Sequence, residues 1–104
     1  MSELSSTLEP PYYTVIFTSR LAAAHEGYEQ MADRMDELAR EQPGYLGMDS
    51  VREGAIGITV SYWESLEAIR SWGRHTEHRE AQRLGRESWY EKYSIRIALV
   101  EEVR

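Results

Sequence analysis

The chain contains no cysteine, and this absence excludes several kinds of chemistry. Without thiols the protein has no disulfides, no thiolate nucleophile, and none of the ligands that zinc fingers and iron–sulfur clusters use. Basic residues are also scarce relative to acidic ones, since the formal net charge is −6. An acidic surface disfavours nucleic acids and anionic membranes. We therefore expect neither of these partners.

Long apolar runs are missing as well. No segment approaches the roughly 20 apolar residues that span a bilayer. The first residues, MSELSSTLEPP, lack the basic and apolar segments of a signal peptide, so we expect a cytoplasmic protein. Residues 1–11 are polar and end in two prolines, which predicts a flexible tail. Residues 12–104 are then expected to form a single domain.

The hydrophobic pattern predicts the element order β-α-β-β-α-β. The predicted strands are Tyr12–Arg20, Tyr45–Arg52, Ala55–Trp63 and a last one from Tyr90 or Tyr93 to Glu102. The first predicted helix is His25–Gln42. The second is capped by Ser65, is weakened at Gly73 and resumes over Glu77–Gly85. Right-handed crossovers place both helical regions on one face of an antiparallel sheet. This is a ferredoxin-like α+β sandwich.

One face of such a sheet is left without helices. We expect this bare face to carry Thr, Ser, Ala, Val and aromatic residues rather than charges alone. A face of that kind is usually covered by a second copy, which predicts a homodimer through the sheet. The alternative is a half-polar face that simply contacts water.

Aromatic residues carry the main functional signal. The chain has one Phe but seven Tyr and three Trp, whose polar groups suit pocket walls as well as cores. Trp63 ends the third strand, and Trp72 continues the row of Leu66 and Ile69 on the second helix. The two indoles either wall a pocket for a flat organic molecule or belong to the core. Tyr93 either hydrogen-bonds a ligand or is a satisfied buried tyrosine.

Two of the three histidines lie close to Trp72. His75 and His78 are three residues apart and would share one side of a continuous helix. Three roles remain open for them: a solvated or capping group, a general acid or base, or a metal ligand. No obvious third ligand accompanies them, so we predict no metal site.

Three motifs resemble a known family. The segments EQPGYLGMDSVRE, GITVSYWESLEAIRSW and HTEHREAQ are similar to those of antibiotic biosynthesis monooxygenases, and the resemblance covers most of residues 12–102. It implies a dimeric α+β barrel made from the sheets of two protomers. It also implies one of two activities, either cofactor-independent oxidation of aromatic compounds by O₂ or oxidative cleavage of haem.

Only some functional residues of the haem-degrading family members have the same residue type in this sequence. Trp72 is similar in context to the catalytic tryptophan of the haem-degrading members. Their axial histidine falls at Gln82 and their strand asparagine falls near Ser19. Since Gln is a poor iron ligand, the first hypothesis is a monooxygenase that acts without a cofactor on an aromatic or quinone-like molecule.

The hypothesis assigns roles to seven residues. The predicted catalytic residues are Trp72 and His75 or His78 as proton acceptor, and the predicted substrate-binding residues are Ser19, Trp63, Gln82 and Tyr93. The alternatives are a haem-binding or haem-degrading protein, with haem as substrate, and a dimeric ligand-binding module without catalysis.

Overall fold

The computed structural model describes residues 8–104 and contains a four-stranded antiparallel sheet. Its strands are β1 (Tyr12–Leu21), β2 (Tyr45–Glu53), β3 (Ile56–Trp63) and β4 (Tyr90–Val100), in the spatial order β2-β3-β1-β4. The helices are α1 (Tyr28–Arg40), α2 (Leu66–Arg74) and α3 (Thr76–Leu84), and a π-helical turn spans Gly85–Trp89. This arrangement confirms the ferredoxin-like α+β fold. Most of the predicted tail, residues 1–7, lies outside the described residues.

Helix α1 begins three residues later than predicted. Gly27 precedes it with φ 87°, a left-handed conformation that interrupts helical geometry and that glycine adopts without strain. The connection before α1 is held by a backbone bond from Ala22 N to the carbonyl of Trp89, 2.8 Å long. The indole of Trp89 also donates to the carbonyl of Glu26 at 3.0 Å. The start of α1 is therefore fixed by the segment that leads into β4.

The second helical region is divided at His75, not at Gly73. Ser65 caps α2 as predicted, because its Oγ accepts from the Ala68 amide at 3.0 Å. His75 has φ −60° and ψ 131°, which ends α2, and α3 begins at the next residue. The π-helical turn after α3 was not predicted. A Cβ at Gly85 in this turn would lie 2.7 Å from the Tyr90 ring, so only glycine allows that ring to pack there.

The bare face of the sheet is more apolar than predicted. Thr14, Thr18 and Ala98 lie on it, but β3 contributes its aliphatic row rather than Thr59 and Ser61. Within this face the exposed fractions are 44% for Ile56, 41% for Ile58 and 66% for the neighbouring Val51. Exposed aliphatic side chains of this size on adjacent strands form an apolar patch.

The helix-covered face holds the core. Trp63 is fully buried, and its Nε1 donates to the Oγ of Ser61 at 2.9 Å. Thr59 and Ser61 also point to this side, where the helices lie over β1 and β3. On the same face the outer strand β4 is less covered, since Ile95 and Ile97 are 51% and 52% exposed. The space between the helices and the sheet consequently opens over β4.

Candidate active site

A cavity of about 420 Å³ lies between the helices and the sheet. Its size is within the range of small-molecule sites, and most of its wall is apolar or aromatic. The wall is formed by Val15 and Phe17 of β1, Tyr28, Met31, Ala32, Met35, Asp36 and Ala39 of α1, Met48 of β2, Thr59 and Ser61 of β3, Ile69, Trp72 and Gly73 of α2, His78, Ala81 and Gln82 of α3, Arg86 and Trp89 of the π-helical turn, and Tyr90, Tyr93, Ile95 and Ile97 of β4.

Trp72 and His78 form a stacked pair in this wall. Their ring centroids are 4.1 Å apart and the planes differ by 11°. Trp72 also stacks on the buried Trp63, with centroids 6.5 Å apart and an interplanar angle of 24°. The three rings form a rigid aromatic layer that begins in the core and ends in the cavity.

One ring nitrogen of His78 is available to accept a proton. Its Nδ1 lies 2.8 Å from the carbonyl oxygen of Trp72, and because a carbonyl can only accept, Nδ1 carries the proton. Nε2 of the neutral ring is then an acceptor, and it has no hydrogen-bond partner among residues 8–104. Burial lowers the pKa of His78 below 6.5, which the bond to Trp72 only partly offsets. The ring is therefore neutral near neutral pH and able to take a proton.

The same bond gives His78 a structural role. The Trp72 carbonyl is at the end of α2, where carbonyls lack helical partners. It accepts from the His75 amide at 3.1 Å and from His78 Nδ1. His78 is thus both a cap for α2 and a member of the cavity wall, so the capping and acid–base roles are compatible.

Asp36 is the acidic residue of the cavity wall. It lies on α1 in the row of Ala32, Met35 and Ala39, which otherwise consists of apolar residues. Its carboxylate makes no hydrogen bond or ion pair within the described chain, and burial raises its pKa. An unpaired carboxylate facing a mainly apolar cavity is costly unless something binds it.

A tyrosine cluster forms another part of the wall. The rings of Tyr28 and Tyr90 meet edge to face at 5.7 Å, and Tyr93 lies 6.0 Å from Tyr90. Burial, followed by the neighbouring Tyr28 hydroxyl, raises the pKa of Tyr90, which stays a neutral phenol. Arg52 donates to the Tyr28 hydroxyl at 3.1 Å and to Ser19 Oγ at 3.2 Å.

The structure brings together four of the seven predicted site residues. Trp72, His78, Gln82 and Tyr93 line the cavity. The other three lie outside its wall, since Trp63 is buried beneath Trp72, Ser19 is bonded to Arg52, and His75 sits at the junction of α2 and α3. His75 Nδ1 is buried there without a hydrogen-bond partner. The functional roles of all seven remain predictions.

Sequence reasoning missed Asp36 and the π-helical turn. Asp36 is eight positions after Tyr28 and four after Ala32, and this spacing places it in the buried row of α1. That spacing was a usable signal. Nothing in the sequence indicates that Arg86, in the turn, reaches the cavity.

Within residues 8–104, no group of three or more His, Asp or Glu side chains is placed to hold a metal ion. In the same range, no helix has the length and hydropathy required to cross a membrane.

The sequence matches the profile of antibiotic biosynthesis monooxygenases over residues 12–84, and the chain belongs to this family. It is 52% identical to YqjZ of Bacillus subtilis (strain 168), an uncharacterized protein, over 105 residues that cover 100% of this chain and 92% of that protein.

Solved structures share the fold. SnoaB of Streptomyces nogalater, a cofactor-independent oxygenase, superposes with a TM-score of 0.71 at 14% identity, covering 91% of this chain and 96% of SnoaB. A conserved protein from Methanosarcina mazei Go1 gives a TM-score of 0.76 at 13% identity and covers 85% of this chain and 91% of its own. At these identities the similarity establishes the fold alone.

Proposed function

We propose that the protein is a cofactor-independent monooxygenase that oxidises a planar aromatic or quinone-like molecule with O₂ in the cavity beside Trp72. The observation that carries this proposal is His78: its Nδ1 is held by the Trp72 carbonyl while Nε2 is free in an aromatic wall. Family membership and the oxygenase activity of SnoaB support the same reaction class.

Proton removal is the step that the protein performs directly. A ring system of the anthrone type has an acidic CH₂ group whose anion is delocalised over the flanking rings. His78 Nε2 accepts a proton from this group, and the depressed pKa keeps the imidazole unprotonated before the substrate arrives. Trp72 lies parallel to His78 and offers a flat surface against which the substrate is oriented.

The substrate anion supplies the electrons for O₂. The carbon of the anion forms a C–O bond with O₂, which gives a peroxide anion. Protonation of the outer oxygen of this peroxide gives a hydroperoxide. Loss of the second C–H proton breaks the O–O bond, so that the CH₂ group and O₂ become a C=O group and water. The aromatic and aliphatic wall keeps bulk water from the hydroperoxide until this elimination is complete.

The test is oxygen consumption by the purified protein with anthrone under air. The variant His78→Phe keeps an aromatic ring but removes Nε2, and we expect kcat to fall about 10²- to 10⁴-fold. His75→Phe is the matched control, because His75 also touches the Trp72 ring, with centroids 5.5 Å apart, but lies outside the cavity wall. Equal losses in both variants, or none in His78→Phe, would refute the proposed role of His78.

Assays on the same purified protein distinguish the proposed monooxygenase from a ligand-binding module and from a haem-degrading protein. Oxygen uptake should be unaffected by chelators, because the proposed reaction uses no metal. Binding of aromatic ligands without turnover would favour a non-catalytic ligand-binding module. Haem that binds with a shifted Soret band and is cleaved in the presence of a reductant would favour haem degradation instead.

We also propose that the protein is a homodimer formed through the bare face of the sheet. The exposed aliphatic patch of Val51, Ile56 and Ile58 supports this, since a second copy would remove it from water. Light scattering after size-exclusion chromatography should give twice the chain mass of 12.1 kDa. Ile58→Glu should yield monomers, whereas Arg79→Glu on the exposed side of α3 should not.

A further inference from the structure

The geometry of α1 points to Asp36 as the residue that selects the substrate. We propose that its carboxylate accepts a hydrogen bond from a hydroxyl on the edge of the planar molecule, so that hydroxylated aromatic compounds are the preferred ligands. This inference rests on the proposed function for the location of the ligand and adds the chemical class that the cavity prefers.

Asp36 lies in the wall of the same cavity as His78, on a different helix. The two helices are joined by an ion pair in which Arg34 Nε lies 3.0 Å from Glu77 Oε2. Glu77 directly precedes His78 and Arg34 is two residues before Asp36, so this half-exposed ion pair links the two helices close to both cavity groups.

Asp36 has no hydrogen-bond or ion-pair partner among residues 8–104. Burial raises the pKa of Asp36, and the charge of Arg40, one turn further along α1, offsets this rise only in part without forming an ion pair with Asp36. The other charged cavity residue, Arg86, likewise makes no ion pair with it. Asp36 is only partly buried and lines the cavity. An unpaired acceptor at the edge of an apolar wall is best satisfied by a donor that the ligand carries.

The shape and polarity of the cavity favour one kind of donor for Asp36. A planar ring system in this cavity of about 420 Å³ would pack its two faces against the aromatic and aliphatic wall. Its edge would then be the part that contacts a side chain such as Asp36. A neutral hydroxyl enters this mainly apolar space at lower desolvation cost than a charged amine would. A site built to bond a hydroxyl also disfavours analogues that lack it, because the partly buried acceptor then loses water without gaining a partner.

The experiment measures binding without turnover. The probes are 2-hydroxyanthraquinone and 2-methoxyanthraquinone, two fully oxidised ligands of similar shape of which only the first can donate, at a pH where the ligand hydroxyl stays protonated. Quenching of tryptophan fluorescence reports binding, because Trp72 lines the cavity. The wild-type protein should bind the hydroxyl compound about 10-fold more tightly or better, as expected for a hydrogen bond to a charged group.

The variants separate the role of Asp36 from a general effect on the helix. In Asp36→Leu the ratio of the two dissociation constants should fall to about one, and in Asp36→Asn it should be intermediate. Asp33→Asn is the matched control, since Asp33 is an exposed aspartate on the same helix outside the cavity wall. It should keep the wild-type ratio.

The outcomes distinguish this inference from the proposed function. A wild-type ratio near one, or a high ratio that persists in Asp36→Leu, overturns the selection by Asp36 even if anthrone is still oxidised. Failure of both anthraquinones to bind overturns this inference together with the proposed location of the substrate.

Discussion

Replacement of Asp36 by Leu should make the folded protein more stable, although it removes a group that we assign to ligand binding. Burying a polar group without a partner costs about 1–3 kcal/mol, and the lower end applies because Asp36 is only partly buried. Leu is also a better helix former than Asp by about 0.5 kcal/mol. The expected gain is therefore about 1.5 kcal/mol, or about 6 °C in Tm for a domain of this size.

The control for helix propensity is Asp33→Leu. Asp33 is exposed on the same helix, so its replacement brings the propensity gain without relief of burial. The difference between the two variants, about 1 kcal/mol, measures the cost of placing the Asp36 carboxylate in the cavity wall. Thermal and urea unfolding at equal protein concentration give both values, with concentration held constant because self-association changes apparent stability.

The pH dependence provides a second check. The folded-state pKa of Asp36 is raised above 3.8, so the folded protein binds this proton more readily than the unfolded chain does. The stability that the protonated group contributes is complete below about 3.8 and is lost as the pH rises through the folded-state pKa. As the pH rises through the folded-state pKa of Asp36, the free energy of unfolding of Asp36→Leu should therefore increase relative to that of Asp33→Leu. If Asp36→Leu is less stable than the wild type at neutral pH, the carboxylate has a structural partner and the reasoning is refuted.

Three further predictions concern local structure. Ser65→Ala removes the cap of α2 and should cost about 1 kcal/mol in urea unfolding; an unchanged midpoint would contradict the cap. Gly57→Ala places a Cβ against the guanidinium tip of the flexible, exposed Arg52 side chain, which can move aside, so urea unfolding should show a loss below about 1 kcal/mol; a larger loss would mean that the bond to Ser19 holds Arg52 in place. His78 should titrate below 6.5 by NMR, and because its folded-state pKa is lowered, its contribution should make the protein less stable as the pH falls below about 6.5, an effect absent from His78→Phe.

The fold was readable from the sequence because its signals are local and periodic. Alternating residues in β3 and the three- and four-residue spacing in α1 each specify an element with a buried side, and the crossover rule then fixes the topology. It was harder to predict which side chains of β3 face the helices. Both of its rows contain residues suited to burial, and only tertiary packing places Thr59 and Ser61 beneath the helices and leaves Ile56 and Ile58 outside.

The site was readable only in part, for a related reason. Trp72 and His78, which line the cavity, were predicted as site residues because indole and imidazole rings are distinctive residue types. Asp36 was not, because an aspartate in an amphipathic helix is usually solvated, and its place in the wall depends on how far the buried row of α1 extends. Trp63 was assigned to the cavity but supports it from beneath, since it is covered by Trp72.

The break at His75 is what creates the stacked pair. In a continuous helix, His78 would follow Trp72 by six residues, which corresponds to a rotation of about 240° and a rise of about 9 Å, so the rings could not stack. The extended conformation of His75 redirects the chain, returns His78 to the end of α2 and places its ring 4.1 Å from Trp72. The Trp72 carbonyl then orients the imidazole with Nε2 free. An irregularity in the helix thus satisfies a helix end and positions the proposed proton acceptor through the same bond. A substitution that joined α2 and α3 into one helix would accordingly remove the proposed activity without touching either ring.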